Sequence, residues 1–154
     1  MRSITVIGIS GSTSFDTIID YFVQLGGDVL LLDPRMVCGM GHIRSSVIHA
    51  ERAFRNGTNR SKSILTETML YAAGERQISK AMERMRPKAG CKEMVAVLFD
   101  IEEFDLDGIG MVRCDGIIEA SWDKAKELGM VRFEGISLEK TVLEHVAMVD
   151  IMKF

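Results

Sequence analysis

The chain of 154 residues is long enough to bury a substantial hydrophobic core without disulfides or a structural metal. Hydrophobic residues make up 47% of it and charged residues 27%, which excludes the disordered and fibrous classes. The formal net charge of -3 argues, taken alone, against a nucleic-acid partner.

The first half of the chain shows strand patterns followed by helical patterns. A β-branched run opens it, and Gly26-Gly27 and Asp33-Pro34 are stop signals that separate the next elements. Later apolar residues recur at helical spacing, and Pro87 closes the last of these stretches. The elements predicted up to Pro87 are a strand at 4–9, a helix at 15–25, a strand at 29–32, and helices at 42–55, from Ser61 or Ser63 to 73, and at 76–86.

The second half contains fewer regular elements. The elements predicted there are a strand at 94–99, an acidic loop at 100–107, short edge strands at 111–114 and 116–118, and helices at 122–128 and 138–152. No repeat, low-complexity tract or linker marks a boundary. We therefore expect a single α/β domain, 1–154, with a small mixed β-sheet of about three to five strands covered by helices and a long C-terminal helix.

Charge is distributed unevenly along the chain. Residues 35–92 contain twelve basic and four acidic residues, whereas the flanking segments carry net charges of -3 and -8. Such a basic block favours a polyanionic partner. The alternative is that the three blocks neutralise one another on the folded surface.

No motif for catalysis or metal binding is complete. The glycines at 8–11 and 39–41 each lie between a strand and a helix, but they lack the lysine of a P-loop and the third glycine of a dinucleotide site. His42 and His49 lie seven residues apart, too far along a helix to share one metal ion. We therefore expect no catalytic residue, no metal and no cofactor, and structural or surface roles for the histidines.

Two segments need a further explanation. Gly74 separates two good helical patterns, which indicates a helix–helix corner with glycine in the left-handed conformation. The last helix carries two apolar stripes on opposite sides, one with Leu138, Val142 and Val146 and the other with Leu143, Ala147 and Ile151. A surface helix needs only one stripe, so this helix is either enclosed within the domain or docks another protein.

Two of these stretches resemble the kinase-binding small subunit of the KEOPS/EKC complex. Residues 67–78, E-T-M-L-Y-A-A-G-E-R-Q-I, are similar to that family's core pattern E-x-L-L-Y-x-x-G-E-R-Q-I, and H-A-E-R-A at 49–53 matches the helix before it. The closing run at 138–150, L-E-K-T-V-L-E-H-V-A-M-V-D, is similar to the family's last helix, in which Arg or Lys is expected at the position of His145. The matches cover roughly half the chain.

The resemblance implies a non-catalytic subunit that supports threonylcarbamoyladenosine modification of tRNA. Members of the family dock on the small atypical kinase-like ATPase of the complex, and archaeal members bind the single-stranded 3′ CCA end of tRNA. The tRNA-facing positions that it implies are Asn59, Arg60, Lys62, Gly74, Glu75, Arg76, Gln77 and Ile78. The kinase-facing positions that it implies are Leu143, Ala147 and Ile151, with Val142 and Val146 assigned to the core.

The expected compartment is the cytoplasm. Three scattered cysteines favour reduced thiols, the first ten residues lack the pattern of a secretory signal, and no apolar run approaches the roughly 20 residues of a membrane span. Neither a membrane nor a small-molecule substrate is expected as a partner. Two other functions remain open: a small nucleotide- or phosphate-binding enzyme that uses the glycines at 8–11 or 39–41, and an adaptor that acts only through its last helix.

Overall fold

The computed structural model describes residues 2–152 and contains four strands and six helices in that range. The strands are β1 (Ile4–Ser10), β2 (Asp28–Leu32), β3 (Glu93–Phe99) and β4 (Val112–Arg113). The helices are α1 (Phe15–Gln24), α2 (Met40–Asn56), α3 (Ile64–Ala73), α4 (Ile78–Met85), α5 (Trp122–Glu127) and α6 (Leu138–Met152). The α/β class, the number of strands and the long C-terminal helix are confirmed.

The four strands form one sheet in the order β2-β3-β1-β4. Its three strand pairings are all antiparallel, with Ile7 opposite Ala96 and Leu30 opposite Val97. The expectation of a mixed sheet was therefore wrong in this detail. β1 and β2 do run parallel to each other, but β3 lies between them and pairs with both in the opposite direction.

Contacts between Cα atoms divide the chain into two compact units, each made of two segments. The sheet unit contains Met1–Pro34 and Pro87–Ile118, and the helical unit contains Arg35–Arg86 and Glu119–Phe154. In the sheet unit α1 buries Ile18 and Phe22 against one set of alternate strand residues, which includes Ile7 and Leu98. The alternate residues on the other face are buried as well, which explains why β2 and β3 are continuous apolar runs.

The helical unit has its own core. Ala50 and Ala53 of α2, Tyr71 of α3, and Val146 and Val149 of α6 form one buried cluster. Full burial of a valine side chain such as Val146 stabilises the folded state by roughly 1.5–3 kcal/mol. The packing of these three helices thus provides one buried core of this unit.

Three predicted elements differ from the structure by more than one residue. α2 begins two residues earlier than expected, at Met40. The second edge strand, expected at 116–118, is part of the 3₁₀ turn Asp115–Ile118 because Asp115 accepts a hydrogen bond from Gly8 N (3.0 Å) and turns the chain at the sheet edge. α4 begins two residues later than expected, because Gln77 still has extended backbone angles (φ -102°, ψ 124°).

Candidate nucleic-acid and partner interfaces

The corner between α3 and α4 is built around Gly74. This residue has left-handed backbone angles (φ 68°, ψ 33°), and its N–H and that of Glu75 donate to Tyr71 O (3.2 Å) and Leu70 O (3.1 Å). A Cβ atom at position 74 would overlap the imidazole ring of His145. Glycine is therefore required twice, for its backbone angles and for the space that His145 occupies. The predicted corner is confirmed.

Arg84 holds this corner closed from α4. Its Nη1 donates to Leu128 O (3.0 Å) and Ala73 O (3.4 Å), and its Nη2 lies 3.6 Å from Glu75 Oε1. Glu75 is one of the predicted tRNA-facing residues. The contact with Arg84 gives this side chain a structural partner at the corner.

The residues after Glu75 are the accessible part of the corner. Arg76 and Gln77 are exposed, and Ile78, the first residue of α4, is half-buried. Gln77 occupies the N-cap position without a side-chain capping hydrogen bond. The first N–H groups of α4 thus lie next to an exposed guanidinium, an arrangement that suits an anionic or hydrogen-bonding ligand.

The loop before α3 is organised by a buried carboxylate. Glu67 is fully buried and accepts hydrogen bonds from Arg60 N (3.0 Å), Ser61 N (2.9 Å) and Ser61 Oγ (2.9 Å). Asn59 Nδ2 donates to Ser61 O (2.8 Å). The side chains of Arg60 and Lys62 remain exposed on this ordered loop.

The role of Glu67 was not predicted from the sequence. An acidic residue in the first turn of a helix is a visible signal, and Ser63 does cap α3 by accepting from Thr66 N (3.1 Å). The signal does not distinguish a solvated acid from one that is enclosed by the preceding loop. Only the folded loop shows that this carboxylate fixes residues 60–61.

The eight predicted tRNA-facing residues fall into two groups. Asn59, Arg60 and Lys62 precede α3, and residues 74–78 follow it. A helix of this length spans about 15 Å at 1.5 Å per residue, so the two groups lie at opposite ends of α3. The basic block at 35–92 also divides, because Lys88 and Lys92 belong to the sheet unit.

Each of the three histidines contacts other residues of the helical unit. The buried His42 ring accepts from Cys38 N at Nδ1 (2.9 Å) and contacts Ala72 O through Nε2 (2.8 Å), and burial lowers the pKa of His42 to about 4. His49 Nδ1 lies 2.8 Å from Asp150 Oδ2. Burial also lowers the pKa of His145, which packs on Gly74. Within residues 2–152 no group of three His, Cys, Asp or Glu side chains is placed to hold a metal ion.

Packing within the chain explains why positions 8 and 11 are glycines. A Cβ at Gly8 would collide with Cys114 O, and one at Gly11 would lie 2.9 Å from Gly110 O. Cys114 N also donates to Gly8 O (2.8 Å), so the chain itself fills the space beside this loop. These contacts disfavour a phosphate-binding loop at this position.

The last helix exposes its second apolar stripe. Val142, Val146 and Val149 are buried, as predicted for the core face. At about 100° per residue the stripe with Leu143, Ala147 and Ile151 lies on the opposite side. Leu143 is 39% exposed and Ile151 69% exposed, and Ala147 is exposed between them. The stripe is therefore not enclosed within the helical unit, so the docking of another protein stays as the prediction for it.

Neighbouring residues extend this apolar surface. Met148, one position after Ala147, is 49% exposed, and the sequence analysis did not select it. On the core side of the same helix Asp150 accepts from the buried Tyr71 hydroxyl and pairs with His49. One side of α6 is thus fixed by core and polar contacts, whereas the other side exposes this apolar stripe together with Lys140 and Glu144.

None of the helices within residues 2–152 is long and apolar enough to span a membrane. A family model described as kinase binding protein CGI-121 matches residues 14–151. No curated protein matches the chain. The family match includes the corner at Gly74, the loop at 59–62 and the exposed stripe of α6.

Proposed function

The chain belongs to the kinase binding protein CGI-121 family, and from this premise we propose that it is a non-catalytic KEOPS subunit that docks on a small atypical kinase-like ATPase and binds tRNA. In this role it supports threonylcarbamoyladenosine modification of tRNA. The proposed compartment is the cytoplasm, where cysteines that form no disulfide, as here, stay reduced.

The observation that carries the docking proposal is the exposed stripe of α6. Leu143, Ala147 and Ile151 follow one another at one-turn spacing and stand opposite the core face. An isolated exposed leucine is ordinary on a protein surface, but a continuous apolar stripe along a helix marks a site for another chain. The proposed partner is the kinase-like subunit, and the stripe packs on it as one face of a helix.

The tRNA proposal is supported by the two polar groups at the ends of α3. Exposed cations stand at both ends, Arg60 and Lys62 on the Glu67-bound loop and Arg76 at the corner. Cations of this kind contact phosphates, and the polar and apolar groups at 74–78 are suited to unpaired bases. We propose that the 3′ CCA end of tRNA binds at the corner and that the loop at 59–62 contacts the adjoining backbone.

The docking proposal is tested by a paired charge substitution on α6. The double variant Leu143→Glu, Ile151→Glu should lose co-migration with the kinase-like subunit on a sizing column, because two carboxylates cannot be desolvated against an apolar groove. Val112→Glu is the matched control, since Val112 is 66% exposed in the sheet unit. Equal binding by the double variant and the wild type would overturn the docking proposal.

The tRNA proposal is tested in the same experiment with two RNAs. The wild-type protein should co-migrate with intact tRNA and bind tRNA that lacks its last three nucleotides about tenfold or more weakly, since each stacked base is worth roughly 1–3 kcal/mol. Retained kinase binding with no affinity for either RNA would identify an adaptor instead. The tRNA part of the proposal would then be abandoned.

A further inference from the structure

A cleft lies beside the exposed stripe, between the first turn of α2 and the start of α6. Its volume is about 380 Å³. Its walls are formed within the helical unit by Gly41, His42, Ala120, Leu138, Val142 and Leu143. It lies at the lower end of the roughly 300–1,000 Å³ range of small-molecule pockets, so it suits a single large side chain better than a cofactor.

The floor of this cleft is chemically apolar. His42 is the polar ring that lines it, but both ring nitrogens are engaged with Cys38 N and Ala72 O at 2.9 and 2.8 Å. The lowered pKa of His42 keeps the ring neutral at physiological pH. Val142 and Cys38 complete the floor and are buried. An occupant therefore finds no unsatisfied imidazole nitrogen to bind.

The rim disfavours an anionic occupant. Glu139 lines the cleft and is exposed, so a phosphate or carboxylate in the cleft would meet a like charge. This argues against a nucleotide at the glycines 39–41, although they stand at the start of α2. The chemistry of the site favours an uncharged apolar group.

Leu143 connects the cleft with the exposed stripe. It lines the cleft and is also the first member of the stripe that continues to Ala147 and Ile151. A partner that packs along the stripe therefore reaches the cleft without a break in the apolar surface. Pockets of this kind, at the end of a continuous apolar face, typically receive the anchor residues of a protein interface.

The glycine at position 41 supports a function for this cleft, because nothing else in the structure explains why the residue there is so small. Gly41 is the second residue of α2. Gly39, two positions earlier, has a positive φ (97°), whereas no such φ is found at Gly41. A Cβ at Gly41 would meet no atom within 4 Å, so neither backbone angle nor packing requires glycine there. An open cleft does require a small residue at this position, because a large side chain would occupy the space.

We propose that this cleft receives a large apolar side chain of the kinase-like partner and anchors that partner at the N-terminal end of the α6 stripe. The proposal rests on the proposed docking function and names the site within the interface that fixes the register of the partner along α6. Gly41 acts by keeping the cleft open.

The test compares two substitutions at one position. Gly41→Phe should fill the cleft and weaken binding to the kinase-like subunit by about 30-fold, the loss expected for one interface hot spot. Gly41→Ala is the matched control, since it adds a methyl group in open space and should bind within about twofold of the wild type. Affinities are measured by isothermal titration calorimetry, and thermal melting of each variant checks that it is folded.

A second variant fills the cleft from the other wall. Ala120 is exposed and lies outside the helices, so Ala120→Phe should reduce binding in the same way without altering α2. Wild-type affinity of both folded Phe variants, with binding still lost in the Leu143→Glu, Ile151→Glu protein, would overturn the cleft proposal and leave the docking proposal standing. Failure of the wild-type protein to bind the kinase-like subunit would overturn both.

Discussion

Each of the two units is stabilised internally by a different kind of contact. In the sheet unit backbone lies close to backbone, as where Gly8 lies against Cys114 O and Gly27 against Phe99 O. In the helical unit polar side chains join separate segments, as the buried Glu67 does for the loop at 60–61 and the half-buried Arg84 does for Ala73 and Leu128. Close backbone contacts do not depend on which side chains lie on the surface of a unit. Contacts made by polar side chains do, because they fix the position of the segments that carry the surface residues.

The two units also differ in charge and in surface. The sheet unit has four basic and eleven acidic residues, and the helical unit has fifteen basic and eleven acidic residues. The exposed stripe of α6, the cleft and the eight predicted tRNA-facing residues all belong to the helical unit. The net charge of -3 is thus the sum of a basic unit, which is suited to binding an anion, and an acidic unit, which is not.

The largest expected effect tests the difference in contacts. Gly8→Ala should cost about 3 kcal/mol or more of unfolding free energy, because the obstructing atom is a backbone oxygen that cannot move aside. Gly74→Ala should cost about 2 kcal/mol, about half of it for the left-handed backbone angles and half for displacing the His145 ring, which can shift. Both values are measured by urea denaturation.

Two controls separate the terms at Gly74. Gly57 has similar left-handed angles and open space around it, so Gly57→Ala should cost about 1 kcal/mol. Combining Gly74→Ala with His145→Ala should cost less than the two single changes together. Full additivity at Gly74, or a cost at Gly8 no larger than that at Gly57, would contradict the comparison.

A smaller effect concerns pH. All three histidines belong to the helical unit, and burial holds the pKa of His42 at about 4. Between pH 6.5 and 4 the unfolded chain therefore binds a proton that the folded chain does not. Stability should fall as the pH falls through this window, by up to about 1.4 kcal/mol per pH unit.

The two units should differ in this window. In the sheet unit the hydrogen bond from Arg2 lowers the pKa of Asp100, so its contribution is present above about pH 4 and is lost only at lower pH. The dependence of unfolding free energy on pH is measured by urea denaturation between pH 7 and 4, with the fluorescence of Trp122 as the signal of unfolding. His42→Gln should flatten this dependence, and an unchanged slope would show that another group titrates.

The smallest expected effect tests the division of the basic block. Arg76→Ala should weaken binding of a CCA-ended RNA and reduce the salt slope of log K by about 0.7, the value for one phosphate contact on a single strand. Lys92→Ala removes a cation of the same sequence block that lies in the sheet unit and should leave the slope unchanged. Fluorescence anisotropy at several salt concentrations measures both, and equal losses would restore the block as one binding surface.

Most of the elements could be predicted because their signals are local. The helix at Leu138–Met152 follows from apolar spacing, and the corner at Gly74 follows from one glycine between two helical patterns. The extent of β4 and the position of the turn after it were less predictable. They depend on Asp115, which pairs with Gly8 across more than a hundred residues of chain.

The candidate sites were predictable in outline only. The sequence indicated two apolar stripes on α6, but the exposure of one of them is a property of the packed helices. Glu67 and Arg84 carry ordinary surface signals and yet serve as internal connections, since their partners are set by how the segments meet. The significance of Gly41 depends equally on the cleft, which is formed by residues from three separate segments.

α6 is the one helix whose two sides serve both proposed interfaces. Its outer side carries Leu143 and Ile151, and on its inner side His145 fills the space that Gly74 leaves. In the proposed complex, a shift of this helix on docking would reach the corner at 74–78 through this contact. Thermodynamic linkage would then require that the partner change the affinity for RNA by the same factor as RNA changes the affinity for the partner. In the proposed function, one glycine–histidine contact would thus couple the binding of the kinase-like subunit to the binding of tRNA.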